Sequence, residues 1–256
     1  MAVWVNSKEG KRYQEVQWDV EDEWIKPEFA STHTGIETTI HPVDRGWFFS
    51  SEEGKDDAIS RKGHGIVAPK TRNLTRLNLI GVRGLSDLTV ATLLKKNKRI
   101  EKIYLTNSSH LSLGGVRQIG FLRHITVLCL ARNQWVNNRF IHLLSTNLIP
   151  EQLKKVDFSE CLPSDWAFMP FFEIFRWLED INLESCPLVT WRTIQVIGGK
   201  VKSLIFMNIA WNRHVDEDTI RYLVGGCPAI RGINVTGCDL ISQNFRDTVL
   251  KNILMQ

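Results

Sequence analysis

From residue 71 onward the apolar residues follow neither the 3.6-residue rhythm of a free-standing helix nor the alternation of a half-buried strand. A longer period organises them. Apolar triplets spaced as L-x-x-L-x-L occur at Leu74/Leu77/Leu79, Ile100/Ile103/Leu105, Ile125/Leu128/Leu130, Leu153/Val156/Phe158, Leu178/Ile181/Leu183, Leu204/Met207/Ile209 and Ile230/Ile233/Val235. Their first members are 26, 25, 28, 25, 26 and 26 residues apart. Seven segments of near-constant length predict stacked supersecondary units, each too small to bury its apolar face alone. Three residues after each triplet stand Val82, Ser108, Asn133, Cys161, Cys186, Asn212 and Cys238. A small buried donor is needed there, because a chain turning out of its strand leaves carbonyls that no strand partner reaches. Three residues further come Leu85, Leu111, Val136, Val189, Val215 and Ile241, a second apolar anchor under the turn, with Ser164 replacing it in the fourth unit. The segments beginning at Ser86 and Asp216 then predict capped helices, the second closed by Gly225-Gly226. Each unit reads as strand, turn, helix and return.

The stretch Gly226-Cys-Pro-Ala-Ile-Arg-Gly-Ile-Asn-Val-Thr-Gly-Cys-Asp-Leu-Ile-Ser242 resembles the cysteine-containing subclass of leucine-rich repeats, and the resemblance covers roughly residues 71–250. That subclass occurs in F-box ubiquitin-ligase receptors, mitotic-exit antagonists and small assembly subunits. The resemblance implies an α/β solenoid of about seven repeats, with a parallel sheet on the concave face and helices on the convex face. F-box receptors carry an N-terminal helical box led by Leu-Pro, and residues 1–70 show no such pattern.

The chain therefore divides into a tryptophan-rich acidic extension, residues 1–70, and a repeat domain, residues 71–256. The extension holds 9 Lys+Arg against 13 Asp+Glu, leaving 23 against 15 for the repeats. It carries Trp4, Trp18, Trp24 and Trp47 without sustained periodicity, which predicts docking on the repeats or on a partner. Its most loop-like run is Ser50-Ser-Glu-Glu-Gly-Lys-Asp-Asp57. No apolar run approaches the roughly 20 residues of a membrane span, and acids arrive early in the N-terminus, which argues against membrane insertion and against secretory or transit leaders. Five scattered cysteines do not form a disulfide framework and point to a reducing intracellular compartment, cytoplasmic first and mitochondrial as the alternative.

Enzyme signatures fail. Gly63-His-Gly-Ile-Val-Ala68 fits a loose dinucleotide pattern, but Ser60-Arg-Lys62 before it does not read as a strand. There is no G-x-S-x-G or H-E-x-x-H, and cysteines on successive rungs about 4.8 Å apart suit a buried ladder better than a metal. No cofactor is expected. Broad recognition is what a curved open sheet offers. Side chains alternating with the buried triplet face outward, giving a column of Asn78, Tyr104, Cys129, Asp157, Asn182, Asn208 and Asn234. Around it lie Arg76, Lys102 and Arg132, then Lys154, Lys155 and Glu160, then Glu179, Asp180 and Glu184, with Phe206 and Trp211 beyond. A surface passing from basic through acidic to aromatic predicts a partner site. In the fourth unit, Trp166-Ala-Phe-Met-Pro-Phe-Phe-Glu-Ile-Phe-Arg-Trp177 carries more aromatics than one helical stripe hides, which predicts Trp166 and Phe171 as exposed partner contacts.

The expected function is a non-enzymatic protein-interaction scaffold, a structural subunit of a larger assembly whose other protein subunits are its partners. A ubiquitin-ligase substrate receptor is the runner-up. Below both stands an RNA-contacting role within a ribonucleoprotein, suggested by Lys95-Lys-Asn-Lys-Arg99 with Lys200, Lys202, Arg221, Arg231 and Arg246, and without sequence reading.

Overall fold

A computed structural model describes residues 49–51, 60–62, 65–67, 74–80 and 85–250. Seven parallel strands, one per unit, form a single open sheet: β4 (Leu74–Asn78), β5 (Lys102–Tyr104), β6 (Val127–Cys129), β7 (Lys155–Asp157), β8 (Asp180–Asn182), β9 (Phe206–Asn208) and β10 (Gly232–Asn234). Before them come β1 (Phe49–Ser51), β2 (Ser60–Lys62) and β3 (Gly65–Val67). β1 adds to the outer side of β4 in antiparallel sense. Ser50 and Ser51, the start of the run read as a loop, therefore belong to a strand, because the edge of β4 offers backbone groups for them to pair with. The remainder of that run lies outside the described residues, as do Trp4, Trp18, Trp24 and Trp47.

Each strand is short because it needs only one inward residue between its two flanking anchors. Leu77, Ile103, Leu128, Val156, Ile181 and Met207 pair in register, and Ile233 pairs with Met207 in turn. The next anchors carry the ladder past the strands: Leu79, Leu105, Leu130, Phe158, Leu183 and Ile209 each donate their backbone N–H to the neighbouring rung. These anchors are all buried in one continuous core. The repeat read from the sequence is therefore the repeat that folds.

Helices return the chain on the other layer: α1 (Asp87–Lys96), α2 (Leu113–Val116, continued as a 3-10 turn to Phe121), α3 (Asn138–Asn147), α4 (Asp165–Ile174), α5 (Trp191–Lys200), α6 (Glu217–Gly226) and the short α7 (Gln243–Phe245). Side chains at Ser86 and Asp216 accept the N–H of Thr89 and Thr219, in keeping with their reading as caps. Gly225-Gly226 does not close α6 from outside. Both are helical, and a Cβ on Gly226 would collide with the carbonyl oxygen of Gly198 in α5, so this glycine permits a close helix approach instead.

The caps are linked across units. Asp87, Asn138, Asp165 and Glu217 each accept the backbone N–H of the next unit's cap residue, namely Ser112, Ser164, Thr190 and Ser242. A helix start thus offers one carboxylate or amide oxygen sideways, tying neighbouring helices at the end where N–H groups lack intrahelical partners.

The Gly63-His-Gly-Ile-Val-Ala68 pattern lies beside a strand after all. Ser60–Lys62 pairs antiparallel with Gly65–Val67, which is a second strand. A dinucleotide loop needs a helix there, and the rejection stands on that ground.

Candidate interaction surfaces

Three registers run along the sheet, and each has its own chemistry. The first is the donor column inside the turn. Asn133 gives its Nδ2 to the carbonyls of Leu105, Leu130 and Ala131, and its Oδ1 accepts the N–H of Ser108. Asn212 repeats the arrangement one rung beyond Cys186, donating to Leu183, Ile209 and Ala210 and accepting from Cys186. Where the residue is cysteine, the thiol donates to the previous rung: Cys161 to Leu130, Cys186 to Phe158 and Cys238 to Ile209, at 3.4, 3.2 and 3.2 Å. Burial pushes the Cys161 thiol up to about 12 and raises those of Cys186 and Cys238, so all three stay protonated and keep the hydrogen they donate.

The second register is the outward column that opens with Asn78. Its members do pair in order as Asn78, Tyr104, Cys129, Asp157, Asn182, Asn208 and Asn234. Five of them share a local task missing from the sequence reading. The Oδ1 atoms of Asn78, Asp157, Asn182, Asn208 and Asn234 accept the backbone N–H two residues on, from Ile80, Ser159, Glu184, Ala210 and Thr236. These are Asx turns that bend the chain off the sheet, and they account for the amide-rich column without a partner. Asp157 also accepts Ser159 Oγ and the Cys129 thiol. Desolvation outweighs these bonds and raises its carboxyl above the ordinary aspartate value. Tyr104 is only 6% exposed and leaves the set of surface contacts.

The third register is the other outward column, two residues earlier. It reads Arg76, Lys102, Val127, Lys155, Asp180, Phe206 and Gly232, so the basic to acidic to aromatic order lies in a single file across the rungs. Burial raises the Asp180 carboxyl to about 6, against the lowering effect of Lys155 on the neighbouring strand. Lys154 and Glu179 sit one position earlier, where return loops enter the sheet, and form an ion pair at 3.3 Å. Glu184 accepts the Asn208 amide at 3.0 Å, and Arg132 holds Glu160 at 2.8 Å.

Phe206 and Trp211 owe their placement to glycines on the last rung. A Cβ on Gly232 would meet the Phe206 ring at 2.8 Å, and one on Gly237 would collide with the Trp211 indole. Both rings lie across bare backbone, and Trp211 remains 43% exposed. Trp211 belongs to another unforeseen file: Asn107, Arg132, Glu160, Ser185, Trp211 and Gly237 all have left-handed φ, between 52 and 69°. Only glycine adopts this readily, and Gly237 is the sole glycine of the six.

On the helical side the fourth unit corrects one expectation. Trp166 is 73% exposed, but Phe171 is fully buried, with its ring 4.2 Å from that of Phe175 and 5.8 Å from Phe158. The reason is that α4 packs on α3 and α5 as well as on the sheet, so its hidden arc is far wider than one stripe. Trp177, Leu162, Leu188 and Trp191 join Trp166 as exposed apolar residues. Two hollows on this side, of about 380 and 320 Å³, are lined by Leu113, Phe121 and Leu143 and by Trp191, Asp216, Thr219 and Tyr222 respectively, and in the second the Thr219 hydroxyl donates to the Asp216 carboxylate that caps α6. Among the described residues no helix is long and apolar enough to cross a membrane.

No family model matches the chain, and no curated protein matches it either. Among solved structures, Rad7 in its yeast complex with Elc1 aligns at 19% identity with a TM-score of 0.56, over 63% of this chain and 42% of that one. An internalin from Listeria monocytogenes aligns at 13% identity and TM-score 0.43, over 70% of this chain and 59% of that one. The actin-binding site 2 of leiomodin-1 aligns at 13% identity and TM-score 0.40, over 62% of this chain and 80% of that one. The chain therefore spans less than half the length of the Rad7 chain that it resembles. With seven parallel strands alternating with helices at a near-constant period, the chain folds as a leucine-rich-repeat α/β solenoid.

Proposed function

We propose that the protein is a non-enzymatic scaffold that binds other protein subunits through the C-terminal half of its concave face. The observation that carries this reading is the file Lys155, Asp180, Phe206 with Trp211 beside it, in which opposite charges and aromatic rings succeed one another on a rigid sheet. Charges there orient an incoming surface, and an aromatic ring held flat on backbone supplies affinity at little cost in side-chain freedom. Lys155, Asp180, Glu184, Phe206 and Trp211 form the working set, with Arg132 and Asp157 at its margin. Trp166 marks a second contact on the helical side. The buried donors favour the cysteine-containing repeat subclass, since three of the turn donors are thiols bonding to carbonyls. Membership of a multi-subunit assembly is supported by surfaces that are extended rather than hollow. The ligase-receptor reading is second, and it draws on the likeness to Rad7, solved with Elc1.

Affinity purification of the full chain with quantitative mass spectrometry tests this. Trp211→Ala and Glu184→Lys should each deplete the stoichiometric partners at least about tenfold, the loss of one good hot spot, while the melting temperature stays within a few degrees. Undiminished partner recovery from both variants would overturn the concave-face assignment.

A further inference from the structure

The edge of the solenoid where return loops enter the sheet has a register of its own. Backbone bonds chain Glu101, Thr126, Lys154, Glu179, Ile205 and Arg231 from rung to rung, each N–H reaching the carbonyl of the one before. Three residues upstream of these stand Lys98, Arg123, Glu151, Arg176, Lys202 and Pro228, all exposed. Four of the six are cations, in two pairs on neighbouring rungs about 4.8 Å apart, Lys98 with Arg123 and Arg176 with Lys202, with Glu151 between the pairs. Lys95, Lys96 and Lys200 extend this column onto the last turns of α1 and α5. The opposite edge, where helices begin, carries Asp87, Asp165, Asp216, Glu217, Asp218 and Asp239. Acids outnumber the cations Arg139, Arg192 and Arg213 there, so the two edges differ in charge balance.

Part of this serves the fold. Lys202 Nζ donates to the carbonyls of Gly198 and Gly226 at 2.8 and 2.7 Å, and Arg176 Nε donates to that of Glu173, so both cap helix ends. Lys98 and Arg123 lie beyond the helices and make no such bond among the described residues. One column over, at the same edge, Trp177 is 52% exposed in register with His124. Cations in file beside exposed flat rings match a phosphate backbone whose bases are available for stacking. An anionic lipid surface or an acidic protein would use the cations but give the rings in this register no specific task. The structure also separates the cations noted in the sequence: Arg221 lies over the Phe245 ring at 4.8 Å and Arg246 binds the Cys238 carbonyl, so neither belongs to the edge.

We propose that this edge docks single-stranded nucleic acid, with phosphates along Lys98, Arg123 and Arg176 and a base stacked on Trp177. Binding is independent of base sequence and of the concave face.

Fluorescence anisotropy of the full chain with labelled 20-mers of oligouridylate and oligothymidylate tests the proposal. Binding should saturate and weaken with salt, with a log–log slope of about −2 to −3 for three to four phosphates at ≈ −0.7 each. Lys98→Glu with Arg123→Glu should lower affinity about tenfold or more, and Trp177→Ala about fivefold to tenfold. Arg139→Glu with Arg213→Glu, on the opposite edge, and Trp211→Ala should change nothing. Binding of either oligomer supports the proposal, and their ratio tells RNA from DNA as the source. Absence of saturable binding by the wild-type chain overturns it, as does equal loss from the opposite-edge variant. So does capture by phosphatidylserine vesicles with no oligonucleotide bound. The wild-type salt slope needs no variant, and circular dichroism melting confirms that the substituted chains are folded.

Discussion

Asn212 shows how much of the repeat rests on single side chains. Its amide meets three carbonyls and one N–H in a space closed to water, so Asn212→Ala would strand several buried polar groups together. At about 1–3 kcal/mol for a stranded group, partly relieved by relaxation, the variant should lose about 2–4 kcal/mol in urea unfolding. Asn212→Cys keeps one donor and should lose less. This position is legible in the sequence because a turn leaving a strand always has backbone carbonyls in want of partners, and only small donors reach them. The left-handed file is not legible, since Asn107, Arg132, Glu160, Ser185 and Trp211 have no common chemistry that announces the conformation. The stacking imposes it: the N–H of each of these five residues is already directed at the next rung. Asp180 permits a test by pH. Its folded carboxyl titrates near 6, above the unfolded value, so the native state holds the proton more firmly between about pH 4 and 6. Its contribution to stability is present below that window and is lost as pH rises through it. Asp180→Asn removes the dependence, so the stability of wild type relative to this variant should fall from about pH 4 to about pH 7 in parallel urea titrations. A constant difference would contradict the buried carboxyl.

Among the elements, the helices vary more than the strands and are harder to foresee. Every strand needs the same inward residue and the same flanking anchors, which a repeating pattern reveals directly. The helices answer to neighbours that lie a whole unit away in sequence. Phe171 reads as a surface residue when one helix is considered alone, whereas the three-sided packing of α4 hides it with Phe168, Phe172 and Phe175. Gly226 has the sequence signature of a terminator and is a contact residue. Gly226→Ala should force α5 and α6 apart, costing about 1–3 kcal/mol as overpacking against backbone does, and should lower the melting temperature accordingly. Gly225→Ala, one residue away with nothing within 4 Å of the added carbon, is the matched control and should be neutral or slightly stabilising.

At the scale of the whole molecule, the candidate surfaces arise from the winding itself. A residue recurring at the unit length becomes a file of neighbours, so the charge order Lys155, Asp180 and the ring of Phe206 can be written down from the register. The basic edge keeps the same count, two residues before each triplet, but Glu151 and Pro228 stand among its cations, so no shared residue type announces it. The donors in the turns also give the coil a grain. Leu105, Leu130, Phe158, Leu183 and Ile209 each have a carbonyl held by the next unit, and the final turn borrows a guanidinium from Arg246 instead. Peeling a unit from the C-terminal end therefore bares an oxygen on the one left behind, whereas peeling from the other end bares none of this set. Unravelling therefore starts more easily at the N-terminal end, and β1, laid along the outer side of β4, acts as a stopper against it.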